Sequence, residues 1–462
     1  MSFDLQSILA GREGESFRLH TRYMNQQMVK VLKTIGFDRE YVRGEGCYIY
    51  DRDGNRYLDF LAGFGVYALG RSHPGVKKAL HAAIDADFAS LVQMECSLLS
   101  GLLAEALVAR THPGIERAFF TSSGTEAVEA ALKFARYSTG RPRLLYSDHA
   151  FHGLTYGSLS LNGGKEFREG FGPLLPQCER VPFGDLDALE HELARGGVAA
   201  FVTEVIQGKG VNLAPDAFWQ GAQDLCRHHG ALFVVDEVQT GLGRTGKMWA
   251  HEHWGLSPDI ITVSKALSGG FVPVGAMLSS SEIFGRVFHS LERAVVHSST
   301  FGNNALAMVA GLATLDALDE ENIVARAAST GQALFDALQP LVEKYELLHA
   351  VRGKGLMIGL VFGEPRSLKL RARWKMIEMA RKGLFSQLIV VPLFQRHRIL
   401  TQVAADNMNV VKLLPPLVAS EAEIDYFVGA LDDVLEDAHR NSALLFEFGK
   451  TLAKSAVSRG ES

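Results

Sequence analysis

From Ala118 onward the sequence alternates short apolar segments with amphipathic ones, and this rhythm restricts the fold more than any other feature. The apolar segments are rich in β-branched and aromatic residues: RAFFTSSG, RLLYSD, VAAFVTEVI, ALFVVDEV and DIITVSKA. The intervening segments TEAVEAALKFAR and FWQGAQDLCRHHG are typical of helices. Strands that alternate with helices form a mostly parallel sheet that is covered on both faces. The sequence therefore predicts an α/β fold with a large domain at residues 71–330.

The segments on either side of this domain have different patterns. Residues 1–70 contain a helical stretch and then CYIYDRDGNRYLDF, in which apolar and polar residues alternate around an Asp-Gly turn typical of a hairpin. Residues 331–440 contain helices and VRGKGLMIGLVF, which predicts a strand, followed by LIVVPLF and a segment ending in VVKLLPP. Residues 441–462 predict a weakly amphipathic tail helix. It packs on the protein or a partner, and contact with a membrane surface is the alternative.

Composition excludes several classes of protein. Of the 462 residues, 47% are hydrophobic and 21% charged, and the net charge of −5 does not favour nucleic-acid binding. The four cysteines have no metal-ligand spacing, which indicates reduced thiols in a cytoplasmic protein and no metal. The first residues do not resemble a signal peptide, and no run approaches the roughly 18 apolar residues of a membrane span.

Lys265 stands directly after one of the apolar segments, in PDIITVSKALSGG. Burial disfavours the charged form of lysine and lowers its pKa. A lysine in that state is an amine nucleophile that can form a Schiff base. A lysine whose ammonium group reaches solvent at the end of a strand gives the same local pattern, so other residues must distinguish the two.

Three more features follow predicted strands, at the edge where open parallel sheets bind ligands. In SSGTEA, small residues at a helix N-terminus let backbone N–H groups approach an anion. Asp236 ends an apolar strand and needs a partner, which a protonated ring nitrogen would supply; it can equally cap the next segment. Phe151 lies in a Gly-containing loop, where it can stack on a planar ring or simply belong to the core.

A phosphate cradle, a ring-nitrogen partner, a stacking aromatic and a Schiff-base lysine together describe one ligand, pyridoxal 5′-phosphate. The order and spacing of SSGTEA, FHG, TEVIQG, DEVQTGLGRTG and SKALSGG resemble the class III aminotransferases of fold type I, over about residues 25–435. The resemblance implies a large domain with a mostly parallel sheet and a smaller α+β domain built from both termini. It also implies a homodimer with shared active sites and small-molecule amine and carbonyl substrates.

The resemblance also implies roles for individual residues. Lys265 and Asp236 would be catalytic: Lys265 would hold the cofactor and later move a proton, and Asp236 would pair with the pyridine nitrogen. The other cofactor-binding positions would be Ser123, Gly124, Thr125, Phe151, His152, Glu204, Gln239 and, from the neighbouring subunit, Thr300. Among these, Gly124 and Thr125 would bind the phosphate and Phe151 would stack on the ring.

Several positions depart from the ornithine-type pattern. Leu154 replaces an arginine that grips a carboxylate, Lys209 replaces a glutamate after QG, and Lys412 aligns with an arginine for the α-carboxylate. Lysine is a point charge and does not replace the guanidinium fork. Phe64 and Tyr67 would line the entrance. We therefore expect an amine donor with a long or bulky apolar body.

Other interpretations remain open at this stage. The chain can instead be an ornithine or ω-amino acid aminotransferase that uses 2-oxoglutarate, or an aminomutase or racemase. A decarboxylase or a non-catalytic cofactor-binding protein is less compatible with the residues present. Arg396, His397 and Arg398 form either a surface basic cluster or a mobile group that supplies the missing guanidinium.

Overall fold

The computed structural model describes residues 3–91, 94–380, 382–404 and 408–440. The predicted tail helix at 441–462 lies outside the described residues.

The strands are numbered along the chain. They are β1 (Tyr41–Glu45), β2 (Tyr48–Asp51), β3 (Arg56–Asp59), β4 (Arg117–Thr121), β5 (Arg143–Ser147), β6 (Cys178–Val181), β7 (Val198–Thr203), β8 (Leu232–Asp236), β9 (Ile260–Val263), β10 (Gly275–Ser279), β11 (Leu348–Lys354), β12 (Met357–Phe362), β13 (Ile399–Leu400), β14 (Gln402–Val403) and β15 (Val410–Leu413).

The helices are numbered in the same way. They are α1 (Leu5–Gly11), α2 (Ser16–Tyr23), α3 (Gln26–Ile35), α4 (Ala62–Gly65), α5 (Pro74–Asp85), α6 (Leu98–Val108), α7 (Gly124–Thr139), α8 (Tyr156–Ser160), α9 (Lys165–Arg168), α10 (Leu186–Ala194), α11 (Asp216–His229), α12 (Ser281–Val287), α13 (Ala305–Glu320), α14 (Ile323–Lys344), α15 (Leu368–Ala380), α16 (Gln387–Gln395) and α17 (Glu421–Arg440). Short 3₁₀ turns occur at Ala250–Trp254, Lys265–Ser268 and Leu291–Arg293.

A seven-stranded sheet forms the centre of the molecule, in the order β4-β10-β9-β8-β7-β5-β6. The strands from β9 to β6 are parallel, and β10 runs antiparallel to both of its neighbours. Strands β7, β9 and β10 are buried along their whole length, as expected for a sheet covered by helices on both faces. The predicted α/β fold with a mostly parallel sheet is confirmed.

Helix α7 crosses this sheet directly behind the site described below. The Oγ atom of Ser123 accepts a hydrogen bond from the backbone N–H of Glu126 at its start, and Gly140 ends it in the left-handed conformation at φ 67°. Its buried face is rich in alanine, which lets the helix lie close to the strands. The close packing fixes the position of the helix N-terminus relative to the strand ends.

There are two smaller sheets, and one of them brings together the two ends of the chain. Strand β13 pairs in parallel with β3, and β2 pairs with β3 as the predicted hairpin. The other sheet has the order β11-β12-β15-β14. VRGKGLMIGLVF, predicted as one strand, is a hairpin instead, because Gly355 turns the chain at φ 53° between β11 and β12. LIVVPLF lies in α16, which is buried on several sides.

Candidate active site

A cavity of about 830 Å³ opens where the parallel strands of the central sheet end. Lys265, Asp236 and Glu204 line it, and each of them follows or ends one of the strands β9, β8 and β7. This is the edge at which open α/β sheets bind ligands. The sequence-based expectation that the strand ends converge on one place is met.

Lys265 begins a 3₁₀ turn directly after β9, with a left-handed φ of 44°. Few residues other than glycine adopt this backbone conformation, and it occurs preferentially at functional sites. Burial lowers the pKa of the Lys265 amine, and the carboxylates of Asp236 and Glu204 oppose that shift in part. The amine therefore loses its proton more readily than a surface lysine does.

Asp236 is buried at the end of β8, and both of its oxygens have protein partners. Oδ2 lies 2.7 Å from Nδ1 of His152, while Oδ1 accepts hydrogen bonds of 3.0 Å from the Thr262 hydroxyl and from the backbone N–H of Val238. Desolvation lowers the pKa of His152, but the hydrogen bond to Asp236 and the charge of Glu204 outweigh it, and the pKa is raised. The arrangement fixes the orientation of the Asp236 carboxylate.

Glu204 holds two loops of the cavity wall in place. One carboxylate oxygen accepts a hydrogen bond of 3.0 Å from the backbone N–H of Phe151, and the other accepts one of 2.8 Å from that of Gly208. Burial raises the pKa of this carboxyl group. The position of the Phe151 ring thus depends on a buried glutamate that the sequence motif places near the site.

The N-terminus of α7 faces the cavity through Gly124 and Thr125. The Thr125 hydroxyl lies 2.8 Å from that of Thr155 and 2.6 Å from that of Ser158. A Cβ atom at Gly124 would stand 2.8 Å from a methyl group of Val238, so only glycine fits without displacement. The helix start offers free backbone N–H groups of the kind that bind phosphate.

Gln239 connects the cavity entrance with Lys412. Its side-chain amide donates a hydrogen bond of 3.0 Å to the carbonyl of Phe64, and its oxygen accepts one of 3.3 Å from the Lys412 amine. Lys412 also donates to the carbonyl of Gly208 at 2.8 Å. Burial, together with the nearby charge of Lys265, lowers the pKa of Lys412 to about 7.

Lys209 is engaged with residues of α9. Its ammonium group lies 3.0 Å from a carboxylate oxygen of Glu166 and 3.6 Å from the ring centre of Phe167. It also lies 5.2 Å from the ring centre of Phe151. Glu166 and Phe167 line the cavity and were not anticipated, because they belong to a short segment without a recognisable motif.

Some of the predicted residues do not line this cavity. The side chain of Leu154 is 55% exposed and follows Gly153, whose φ of 127° turns the chain away. Tyr67 packs beneath the Arg71 guanidinium, 4.0 Å from its ring centre. Ser123 serves as the cap of α7, and Thr300 is exposed on the surface. Phe64, Lys209 and Lys412 do line the cavity, as expected.

The basic cluster near residue 397 lies on the surface, away from the cavity. Arg396 pairs with Asp437, and His397 lies 2.9 Å from a carboxylate oxygen of Asp433, both on α17. Arg398 is exposed. The structure thus agrees with the surface-cluster interpretation.

Further wall residues come from the N- and C-terminal segments, which sequence reasoning missed: Ile35, Phe37, Lys382, Leu384, Gln387, Val390 and residues 401–404. Among the described residues, no group of three or more His, Cys, Asp or Glu side chains is arranged to hold a metal ion. Within the same residues, no helix has the length and apolar character required to cross a membrane.

Residues 33–435 match the family model described as aminotransferase class-III. The chain belongs to this family. The aminotransferase PigE of Serratia sp. is 35% identical over 92% of the chain, which spans only 54% of the length of PigE. The acetylornithine aminotransferase of Bacillus cereus is 36% identical over 86% of the chain and 94% of its own length. The putrescine aminotransferase of Pectobacterium atrosepticum is 36% identical over 84% of the chain and 80% of its own length.

Solved structures of aminotransferases have the same fold. The ornithine aminotransferase of Toxoplasma gondii superposes with a TM-score of 0.82 at 25% identity, covering 96% of this chain and 100% of that one. The omega transaminase of Pseudomonas jessenii in complex with PMP gives 0.80 at 26% identity, over 90% and 95% of the two chains. The recognition of the family from its motifs is confirmed.

This aminotransferase uses pyridoxal 5′-phosphate, the cofactor of its family. The described residues fit that group in three respects. An amine of lowered pKa opens on the cavity at Lys265, an oriented carboxylate stands at Asp236, and the N-terminus of α7 faces the cavity at Gly124, where Val238 leaves no room for a Cβ atom. When bound, the cofactor supplies an electron sink for the reacting carbon.

Proposed function

We propose that this aminotransferase takes its amino group from a primary amine with a long or bulky apolar body and passes it to a keto acid or an aldehyde. The main observation in favour is the lining of the cavity, in which no described residue is an arginine. Bidentate pairing with a guanidinium is the strongest common way to hold a carboxylate. Among the described residues of the lining, a substrate with two carboxylates has no such partner.

Two lysines of the cavity wall, Lys209 and Lys412, support the same donor. Lys209 is already paired with Glu166, and Lys412 is buried with a pKa of about 7, which leaves it largely without charge in slightly alkaline solution. Neither replaces the arginine expected in an ornithine-type enzyme. An apolar amine needs no such cation.

We assign the chemical steps to Lys265 and Asp236. Lys265 would hold the cofactor covalently until the incoming substrate amine displaces it. The released Lys265 amine, whose pKa is lowered by burial, would then accept the proton that leaves the substrate carbon. Asp236, oriented by three hydrogen-bond partners, would stabilise positive charge on the cofactor ring. His152 acts through Asp236 and is a positioning residue.

The remaining cofactor contacts are part of the same proposal. Gly124 and Thr125 bind the phosphate group at the start of α7, with Ser123 fixing that start as its cap. Phe151 stacks on the ring, and Glu204 and Gln239 stand near its phenolic oxygen. The support for these roles is the position of each residue at the cavity or directly beside it.

We also propose that the enzyme is a cytoplasmic homodimer in which Thr300 reaches the cofactor of the partner subunit. Large apolar side chains near Thr300 are exposed in the single chain: Leu291, Val295 and Phe301. A contiguous exposed apolar patch marks a protein–protein interface, and these residues are candidates for one. The four cysteines are free, as expected in a reducing compartment. Sedimentation of the holoenzyme tests the dimer.

The second candidate is an ornithine or acetylornithine aminotransferase, which the names of several relatives favour. Measurements of kcat/KM distinguish the two candidate functions. The donors are ornithine, N-acetylornithine and linear alkylamines of increasing length, and the acceptors are pyruvate, 2-oxoglutarate and simple aldehydes. Each methylene buried in a dry pocket contributes about 0.8 kcal/mol. Higher kcat/KM for ornithine, or a decline with chain length, would reject the apolar donor. Turnover of an amine without any acceptor would indicate an aminomutase or racemase.

A further inference from the structure

We propose that the part of the cavity enclosed by α3, α16 and β14 is a binding subsite for the alkyl chain of the amine donor. The inference rests on the proposed function, because it gives a location to the apolar body of that donor. Below, this part of the cavity is called the alkyl subsite, and it is defined by Ile35, Phe37, Leu384, Val390 and Val403.

The subsite begins beside Lys412. Gln402 of β14 pairs with Lys412 of β15, and the next residue, Val403, pairs with Val411. Residues 401–404 all line the cavity, and β14 packs against α16. A substrate whose amino group is at Lys265 can therefore extend past Lys412 and along β14 into the small domain.

The outer wall of the subsite is made where α3 and α16 meet. The rings of Phe37 and Phe394 stack with their centres 4.0 Å apart, and the side-chain amide of Gln395 donates to the carbonyl of Ile35 at 3.5 Å. Gly36 ends α3 with a φ of 73°, and a Cβ atom there would stand 2.3 Å from Nε2 of Gln395. The two chain segments are thus held in close contact beside the cavity.

The chemistry of this wall fits an alkyl chain. The five defining side chains are aliphatic or aromatic, and Leu384 and Val390 are only 8% and 3% exposed. The same stretches of the wall also contribute the polar residues Lys382, Gln387, Thr401 and Gln402. The whole cavity, at about 830 Å³, is near the upper end of the roughly 300–1,000 Å³ usual for small-molecule sites. This volume has to accommodate the cofactor together with the substrate body that extends from Lys265.

The test compares two variants on the same helix. Ile35→Trp places a large ring in the alkyl subsite, whereas Val31→Trp, one turn earlier on α3, changes a residue that is 52% exposed and does not line the cavity. In the unmodified holoenzyme, kcat/KM should rise about fourfold per methylene from butylamine to octylamine. Ile35→Trp should abolish this rise, and Val31→Trp should retain it.

A second readout does not depend on turnover. Calorimetric titration of the holoenzyme with 1-alkanols from butanol to decanol measures binding of the chain alone, and affinity should increase with length in the unmodified enzyme and in Val31→Trp only. Val390→Phe serves as a second filling variant where Ile35→Trp does not fold. An unchanged length dependence in a folded filling variant would overturn the subsite.

The same measurements distinguish a failure of the alkyl subsite from a failure of the proposed donor. If ornithine is preferred and alkylamines are not turned over, while alkanol binding still depends on length and is lost in Ile35→Trp, the donor proposal fails and the subsite stands. If alkylamines are good donors but their length dependence is equal in all variants, the subsite fails and the donor proposal stands.

Discussion

His152 and Asp236 form a buried pair, with Nδ1 of the histidine 2.7 Å from Oδ2 of the aspartate. The other oxygen of Asp236 is occupied by Thr262 and by the backbone of Val238. Three donors therefore fix one carboxylate at the end of a strand. The FHG and DEV motifs, which lie far apart in the sequence, meet in this single contact.

The first prediction concerns the charge of Asp236. Asp236→Asn keeps the size of the side chain but removes its charge. We expect kcat to fall roughly 100-fold, which corresponds to a loss of about 3 kcal/mol of transition-state stabilisation. Steady-state kinetics on the cofactor-loaded protein measure the effect. Asp259→Asn is the matched control, since Asp259 also accepts a strand N–H, that of Phe233 at 2.8 Å, but does not line the cavity. Near-normal turnover in Asp236→Asn would show that its charge is not used.

The second prediction identifies the lysine that holds the cofactor. Borohydride reduction of the holoenzyme should fix the cofactor to Lys265, and because trypsin does not cleave after a modified lysine, the label should appear on the peptide spanning residues 248–286. Mass spectrometry of the digest locates it. The label should persist in Lys412→Ala and disappear in Lys265→Ala. A label on any other lysine contradicts the assignment.

The third prediction concerns the pH dependence of stability at Lys412. Its pKa is about 7 in the folded protein and about 10.5 when unfolded, so between these values the unfolded chain binds more protons and stability rises with pH. The gain in unfolding free energy from the lowered pKa of Lys412 is complete above about pH 10.5 and is lost as the pH falls to 7. Relative to Lys412→Met, the free energy of unfolding should increase by about 1.4 kcal/mol per pH unit in this window.

Urea unfolding of both proteins at intervals from pH 7 to 10 measures the slope. The difference between the two proteins is informative, because all other titrating groups are shared. Lys78→Met, at an exposed position of α5, is the control and should give the same slope as the unmodified protein. A pH-independent difference for Lys412→Met would contradict the lowered pKa.

The fourth prediction concerns the space at Gly124. In Gly124→Ala the new methyl group meets Val238 at 2.8 Å, and such overpacking typically costs about 1–3 kcal/mol of unfolding free energy. The displacement moves the N–H groups that face the cavity, so the cofactor should also dissociate more readily. Absorbance after dialysis measures retention. Gly429→Ala on α17, where no atom lies within 4 Å of the added Cβ, should be neutral or slightly stabilising. Equal behaviour of the two variants would exclude a cradle at Gly124.

Much of the catalytic end of the cavity could be predicted from sequence because its residues belong to short local patterns. Lys265 and Asp236 each follow an apolar strand, and parallel strands necessarily bring such ends to one edge. Glu204 was expected near the site only through the resemblance of TEVIQG to the family motif. For these residues, the sequence pattern around each one is enough to predict where it lies in the fold.

The rest of the wall depends on contacts that no local pattern reveals. Lys209 aligns with a substrate-binding position, but in the fold it pairs with Glu166, which lies 43 residues earlier. Ala62, Gly63 and Phe64 all have positive φ, so Phe64 lines the cavity while Tyr67 does not. Ile35 and Val390 come from opposite ends of the chain. Their proximity is a property of tertiary packing and cannot be read from periodicity.

The parallel pairing of β3 with β13 has a consequence for how the protein is made. Its partners, Leu58 with Ile399 and Asp59 with Leu400, are separated by about 340 residues. At a translation rate of roughly 5–20 residues per second, β13 is synthesised on the order of 20–70 s after β3, and β3 has no partner on this edge until then. During that interval Lys265 can already stand at the end of a formed sheet, but the pocket has no far wall. The nascent chain thus acquires its reactive amine well before it can enclose a substrate, and an unpaired strand edge is open to chaperones or to misassembly for the same period.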